Sequence, residues 1–203
     1  VTIDRATLVA ELTDGTQVFG EAAIDVPRGN QRERIRRTFL VPHHCDAVRV
    51  FPPVLEALAA ADFIVVGPGD LYTSIIPNLI VPGVKEAIAA TSARVIYNCN
   101  IMTKFGETHR FAAEDFVLEI EEHIGRAVDV VTLNDRQPTP GMLARYQDEK
   151  AHVVSLHEAS RIAGRILLHA DLLDDTGEVA RHDARKLAAV LNRVFTGQAG
   201  APS

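Results

Sequence analysis

The 203-residue chain contains no tryptophan, only two cysteines and two methionines, and 5% aromatic residues. Two thiols, Cys45 and Cys99, cannot build a disulfide framework or a multi-cysteine zinc site. Cys99 closes an apolar run and reads as a small buried hydrophobe. Eight histidines are present, but His43 and His44 are adjacent and the others scattered, so none shows metal-ligand spacing. No apolar run approaches the roughly 18 residues a membrane helix needs. Phe63–Val66 and Ser74–Val84 are interrupted or bounded by Gly67, Pro68, Pro77 and Pro82. A basic stretch followed by an apolar one is also missing from the start, which leaves no secretory signal and points to the cytoplasm. Neither a phosphate-binding P-loop nor a Gly-x-Ser-x-Gly nucleophile elbow occurs. A net charge of −6 disfavours general nucleic-acid binding, which requires a basic face.

One local exception to the acidic balance is the run Arg28, Arg32, Arg34, Arg36 and Arg37. It reads as a solvated strand and loop near Asp25 and Glu33, with an anion-attracting rim as the alternative. The chain opens at Val1 directly in a strand-like pattern, which points to a piece of a longer gene product. Thr7–Leu12 and Gln17–Ala22 flank Asp14-Gly15, a hairpin signal because glycine accepts the positive φ such turns need. Ile35–Val41 adds a third extended run. These elements predict a small antiparallel β extension over residues 1–51.

From residue 52 the pattern alternates. Helical segments at 54–61, 84–90, 114–124, 140–149 and 183–195 are separated by the apolar runs 63–66, 94–99 and 128–133. Weaker strand signals lie at 153–156 and 166–168. Short continuous β-branched runs suit strands buried on both faces. Thr139-Pro140 and Asp183 have the chemistry of helix starts. The expectation is an α/β fold: a Rossmann-like, mostly parallel sheet with helices on both faces over residues 52–196, then a disordered tail at 197–203.

Ligands of open parallel sheets bind beyond the carboxyl ends of the strands. Three such ends carry small or polar residues. After Val66 comes Gly67-Pro68-Gly69-Asp70-Leu71-Tyr72-Thr73-Ser74. Its glycines permit close backbone approach and Thr73 and Ser74 offer hydroxyls, so it suits either a phosphate cradle or a tight strand-to-helix turn. Asn98 and Asn100 bracket a buried position and need partners, either neighbouring loops or a ligand. Thr103, Gly106 and Glu107 continue that loop. Asn134 and Asp135 form the third end. Arg181 and His182, ahead of the last helix, are placed to meet an anion.

The string from Val65 through Tyr72-Thr73-Ser74 to Leu79 resembles the gluconeogenesis factor family, related to CofD. So do Asn98–Thr103 with Gly106-Glu107-Thr108, the segment Val179–Asp183, and the opening hairpin Leu8–Glu21. The resemblance implies a cytoplasmic bacterial regulator of cell shape and wall-precursor supply that binds UDP-N-acetylglucosamine or another nucleotide. It also implies a homodimer, and a partner enzyme of amino-sugar synthesis. A tyrosine and an arginine important to that binding map by motif to Tyr146 and Arg181. Members carry a Gly-Gly-Gly-Thr-Gly loop ahead of the hairpin, which this sequence does not contain, so the likeness covers roughly their last two-thirds. The alternative within the resemblance is a CofD-like transferase, which moves a phospho-lactyl or phosphoenolpyruvyl group from a guanosine-linked donor to a deazaflavin. No cofactor is certain on either reading; the second would use Mg²⁺, with Asp70 as its carboxylate.

Overall fold

The structure is a computed structural model that describes residues 1–27, 32–174 and 176–198. Arg28 and the tail residues 199–203 lie outside these.

The chain begins with β1 (Ala6–Leu12) and β2 (Gln17–Phe19), joined through the Asp14-Gly15 turn. Gly20 follows at φ 85, and the chain then coils into a short helix, α1 (Glu21–Asp25). The expected second strand therefore stops three residues early, because the backbone reverses at Gly20 and the Ala-rich segment beyond it forms helix. β3 (Ile35–Pro42) returns antiparallel on the other side of β1, giving the order β2-β1-β3. Ion pairs from Arg36 and Arg37 to Glu11 (3.3 and 2.6 Å) fasten β3 to β1. Arg34 lies over the Phe111 ring at 5.3 Å. Much of the arginine run thus serves as internal fastening.

Next come α2 (Pro52–Ala60), β4 (Phe63–Val66), a wide π-type turn over Leu71–Ile75 running into α3 (Ile76–Leu79), and α4 (Val84–Ala90). β5 (Arg94–Asn98), α5 (Ala113–Ile124), β6 (Val130–Asn134), α6 (Pro140–Asp148) and β7 (Ile166–Ala170) complete the core. A two-residue ribbon, β8 (Leu173–Asp174) with β9 (Arg181–His182), precedes α7 (Ala184–Phe195). Strands β4-β5-β6-β7 form one parallel sheet in sequence order.

Strand alternation explains the layers. Val66, Val95, Tyr97, Val131 and Leu133 face one side, where they join Phe116, Val117 and Ile120 of α5 and the inward residues of β1. Ile96 and Val130 face the other side, against Val194 and Leu191 of α7. Helices therefore cover both faces, and the antiparallel layer shares the first core. The expected caps are present: Thr139 accepts from the Met142 N–H, and Asp183 from the Arg185 and Lys186 N–H groups. The expected strand at 153–156 is not formed, leaving a single bridge between Met102 and Val153. Val154 instead enters the core from irregular backbone, held by its N–H to the Ile101 carbonyl. Among the described residues no helix is long and apolar enough to cross a membrane.

Candidate functional site

Two of the three polar strand ends converge. The loops after β4 and β5 form one wall of a cavity of about 980 Å³. Asp25, Val26 and Pro27, at the end of α1, make a second wall, and Tyr146 of α6 with Val179–His182 a third. Of the residues singled out by sequence, Pro68, Gly69, Asp70, Ser74, Asn100, Thr103, Tyr146, Arg181 and His182 line this space.

The others stand behind it or apart. Asn98, fully buried, donates its amide to the Gly67 carbonyl (3.1 Å) and accepts from the Thr132 hydroxyl (3.0 Å). It thereby ties the loop after β4 to β5 and β6. Asn100 performs a parallel task at the cavity wall, donating to the Gly69 carbonyl at 2.9 Å while accepting from the Tyr97 hydroxyl. Tyr72 and Thr73 are buried in the wide turn: the Tyr72 hydroxyl faces Glu119 on α5, and the Thr73 hydroxyl donates to Glu107. Asn134 lies away from the cavity, donating to the Arg136 carbonyl and accepting from the Leu172 N–H.

Glu107 is the most unusual group. Its side chain is 1% exposed, yet it accepts from the Tyr72 backbone N–H (3.2 Å) and lies 3.4 Å from the Lys104 ammonium. Burial pushes its carboxyl up to about 7, and Lys104 offsets that only in part. Lys104 also pairs with Asp25 and, at 2.7 Å, with Asp70. Burial alone would lower the lysine, but the three carboxylates outweigh it and hold the ammonium above its ordinary range. This lysine joins α1 to the loops after β4 and β5. Nothing in the sequence marks Asp25 or Lys104, because the contact spans 79 residues and follows no local pattern.

The opposite end brings one arginine and one carboxylate to the lining, Arg181 and Glu149. Arg181 is exposed on β9, and Tyr146 beside it is half-buried, its hydroxyl facing the Ala180 N–H. Burial and the neighbouring Glu149 raise the tyrosine, so it stays a neutral phenol able to donate. Burial lowers the His182 imidazole below its ordinary range, and its hydrogen bond to the Cys99 carbonyl offsets that only in part. The cavity therefore runs from a carboxylate-rich end that accepts hydrogen bonds to an end where Arg181, with Glu149 nearby, could pair with an anion.

The CofD family profile, described as 2-phospho-L-lactate transferase CofD, matches residues 1–173. The chain belongs to the CofD family. Among the relatives of this CofD-family chain, the Bacillus subtilis gluconeogenesis factor is 35% identical, over 91% of this chain and 56% of that protein. A Thermotoga maritima protein bearing the gluconeogenesis factor name is 40% identical, over 96% of this chain and 60% of that one. A crystal structure of a Bacillus halodurans protein superposes with a TM-score of 0.84 at 35% identity, covering 94% of this chain and 60% of its own. A second structure, titled as a UPF0052 family member, gives 0.81. The CofD-family chain thus spans less than two-thirds of these relatives' length.

The wall at α1 depends on a glycine. Gly106 has φ 83, and a Cβ there would meet Pro27 Cγ at 2.7 Å. Gly106→Ala is therefore expected to cost about 2 kcal/mol through strain and the displaced wall. A thermal melt reads this directly; an unchanged midpoint would show that the wall gives way freely.

Proposed function

We propose that this chain is the ligand-binding part of a cytoplasmic bacterial regulator that takes UDP-N-acetylglucosamine at the strand ends. Through a partner enzyme of amino-sugar synthesis it adjusts carbon flow to cell-wall precursors and cell shape, and it works as a homodimer. The observation that carries the reading is the two-ended cavity. Its volume lies in the range of small-molecule sites. Arg181 can pair with a diphosphate in bidentate fashion, and Tyr146 can stack on a ring or donate to it. Asp25, Asp70 and the carbonyl of Gly69 are suited to sugar hydroxyls and an acetamido N–H.

Calorimetric titration with UDP-N-acetylglucosamine tests this, with saturable heat and no turnover as the expected result. Arg181→Ala should weaken the affinity about 10- to 100-fold, the equivalent of losing one charge-assisted contact. Equal affinity would remove Arg181 from the site. Absence of heat from the parent chain, or from a form lengthened to match its relatives, would overturn the reading.

One observation favours a second reading. Carboxylate oxygens of Asp25, Asp70 and Glu107 lie within 4.8 Å of one another. Three carboxylates suit a hard divalent cation such as Mg²⁺, which would compete with Lys104 for the same oxygens. When bound, Mg²⁺ would offset the phosphate charge of a guanosine-linked donor in a CofD-like transfer to a deazaflavin. The side chains around it would orient that donor and exclude water. A Mg²⁺-dependent product from donor and deazaflavin would replace the regulator reading.

A further inference from the structure

The arginine run divides in two. Arg36 and Arg37 pair with Glu11, but among the described residues Arg34, at the entry to β3, forms no ion pair. Arg34 is exposed and lies over the ring of Phe111, on the loop that follows β5. The same loop carries Arg110, also exposed and also without an ion pair among the described residues. Arg110 has φ 73, a left-handed backbone conformation that costs a non-glycine residue energy. Glu33, the acidic residue of the run, accepts from the Thr13 hydroxyl at 3.0 Å rather than from an arginine.

Two further side chains of this cluster have buried nitrogens without partners. Arg32 donates Nη1 to the Ala23 and Ile24 carbonyls (3.3 and 2.8 Å), but its Nε and Nη2 are buried and have no partner among the described residues. Its Cδ would stand 3.0 Å from a Cβ added at Gly106, so it packs directly on the loop after β5. His109 has a buried Nδ1 with no partner among the described residues. Burial first, then the charges of Arg110, Arg34 and Arg32, hold its imidazole below the ordinary range, with Glu33 opposing. Basic side chains from the approach to β3 and from one loop thus converge, with like charges facing one another and buried polar groups unsatisfied.

Such a cluster repels itself, and an anion would relieve both costs at once. A compact tetrahedral dianion offers several acceptor oxygens and takes guanidinium donors from more than one side. We propose that Arg32, Arg34, His109 and Arg110 form a second anion site, for phosphate as the free ion or as the phosphoryl group of a small metabolite. The site lies outside the cavity. Phe105 lines that space, and His109 packs against its ring at 5.5 Å between centroids without itself reaching the lining. The assignment does not depend on which ligand the cavity takes.

Histidine NMR on the 203-residue chain tests this, with His109→Gln identifying the signal. Inorganic phosphate, exchanged for chloride at constant ionic strength, should shift the His109 ring signals saturably and raise the pKa of that imidazole by about one unit. Glycerol phosphate is the second probe. An equal rise from it assigns the phosphoryl group, and a rise from inorganic phosphate alone assigns the free ion. Arg110→Gly removes one cation at a backbone angle that glycine accepts, so it should melt within about 3 °C of the parent and lose most of the rise. Arg34→Gln should lose it likewise, and Arg181→Ala should keep it in full. No rise from either probe overturns the proposal, as does an equal rise in chloride, which would be screening. A rise that survives both Arg110→Gly and Arg34→Gln overturns it too. So does a rise that disappears in Arg181→Ala, since phosphate would then be seated in the cavity.

Discussion

Replacing Glu107 by Gln should make the stability of this protein less dependent on pH between about 4.5 and 7, by about 3 kcal/mol across that interval. Burial holds the Glu107 carboxyl near 7 in the folded state, against 4.5 for an unburied one. Within this window the folded chain therefore binds more protons at Glu107 than the unfolded chain does. Its contribution is complete below 4.5, declines as the pH rises, and is gone above 7. Gln has no proton to lose and can still accept from the Tyr72 N–H. Parent stability minus variant stability should accordingly fall as the pH rises, and the variant should melt at or above the parent at pH 8. His109 and His182, both held down chiefly by burial, titrate in the opposite sense but are common to both proteins and cancel in the difference. Denaturant unfolding at several pH values makes the measurement. Parallel profiles would mean that Glu107 is ionised throughout and that Lys104 fully compensates it.

That expectation changes how the acidic end of the cavity is understood. Near neutral pH, protonating Glu107 leaves Lys104 with the carboxylates of Asp25 and Asp70. Ionising it adds a negative charge behind the ammonium. A ligand hydroxyl approaching Asp70 meets a weakly acidic pocket in the first state and a stronger acceptor in the second. A bare phosphate is repelled in both. The arrangement thus favours an anion at the Arg181 end rather than over the Gly67–Asp70 loop, where glycine content alone suggested a phosphate cradle.

How much of this could be read from the sequence depended on whether the signal was local. β4, α4, α5 and α7 follow from hydrophobic periodicity and punctuation, such as Gly125 ending α5 at φ 72. α1 was hidden because Val18 and Phe19 extend a β-prone run into it. The β8–β9 ribbon is two residues per strand, too short to leave a pattern. At the site, glycines and asparagines at strand ends are conspicuous, so the loops after β4 and β5 stood out. Their division of labour did not. Asn100 lines the cavity from the loop after β5, while Asn98, the last residue of that strand, is sealed beneath it. Strand alternation would put residues two apart on one face, so it does not separate them; they part because the chain leaves β5 at Asn98. Asp25 and Lys104 meet only through the packing of the antiparallel layer onto the parallel sheet.

Asn98→Leu should be the more damaging change, although its side chain never reaches the cavity. Leucine is of similar length, but it leaves the Gly67 carbonyl and the Thr132 hydroxyl without the partners they have at 3.1 and 3.0 Å. Two buried groups stripped of partners should cost about 3 kcal/mol, or roughly 6–12 °C in melting temperature for a chain of this size. Asn98→Asp separates shape from hydrogen bonding. It keeps the acceptor for Thr132 but loses the amide donor, and places a carboxylate against the Gly67 carbonyl, so it should be no better than leucine. Both variants should also loosen Gly67–Asp70 and weaken ligand binding more than Asn134→Ala, which alters a strand end that the cavity does not use. If Asn98→Leu melts with the parent, the loop is held by its own backbone and the fixed geometry at Gly69 and Asp70 must originate in the wide turn at Leu71–Ile75. If it melts early while Asn134→Ala binds normally, the recognition surface is set from underneath, by a polar side chain that joins three strands.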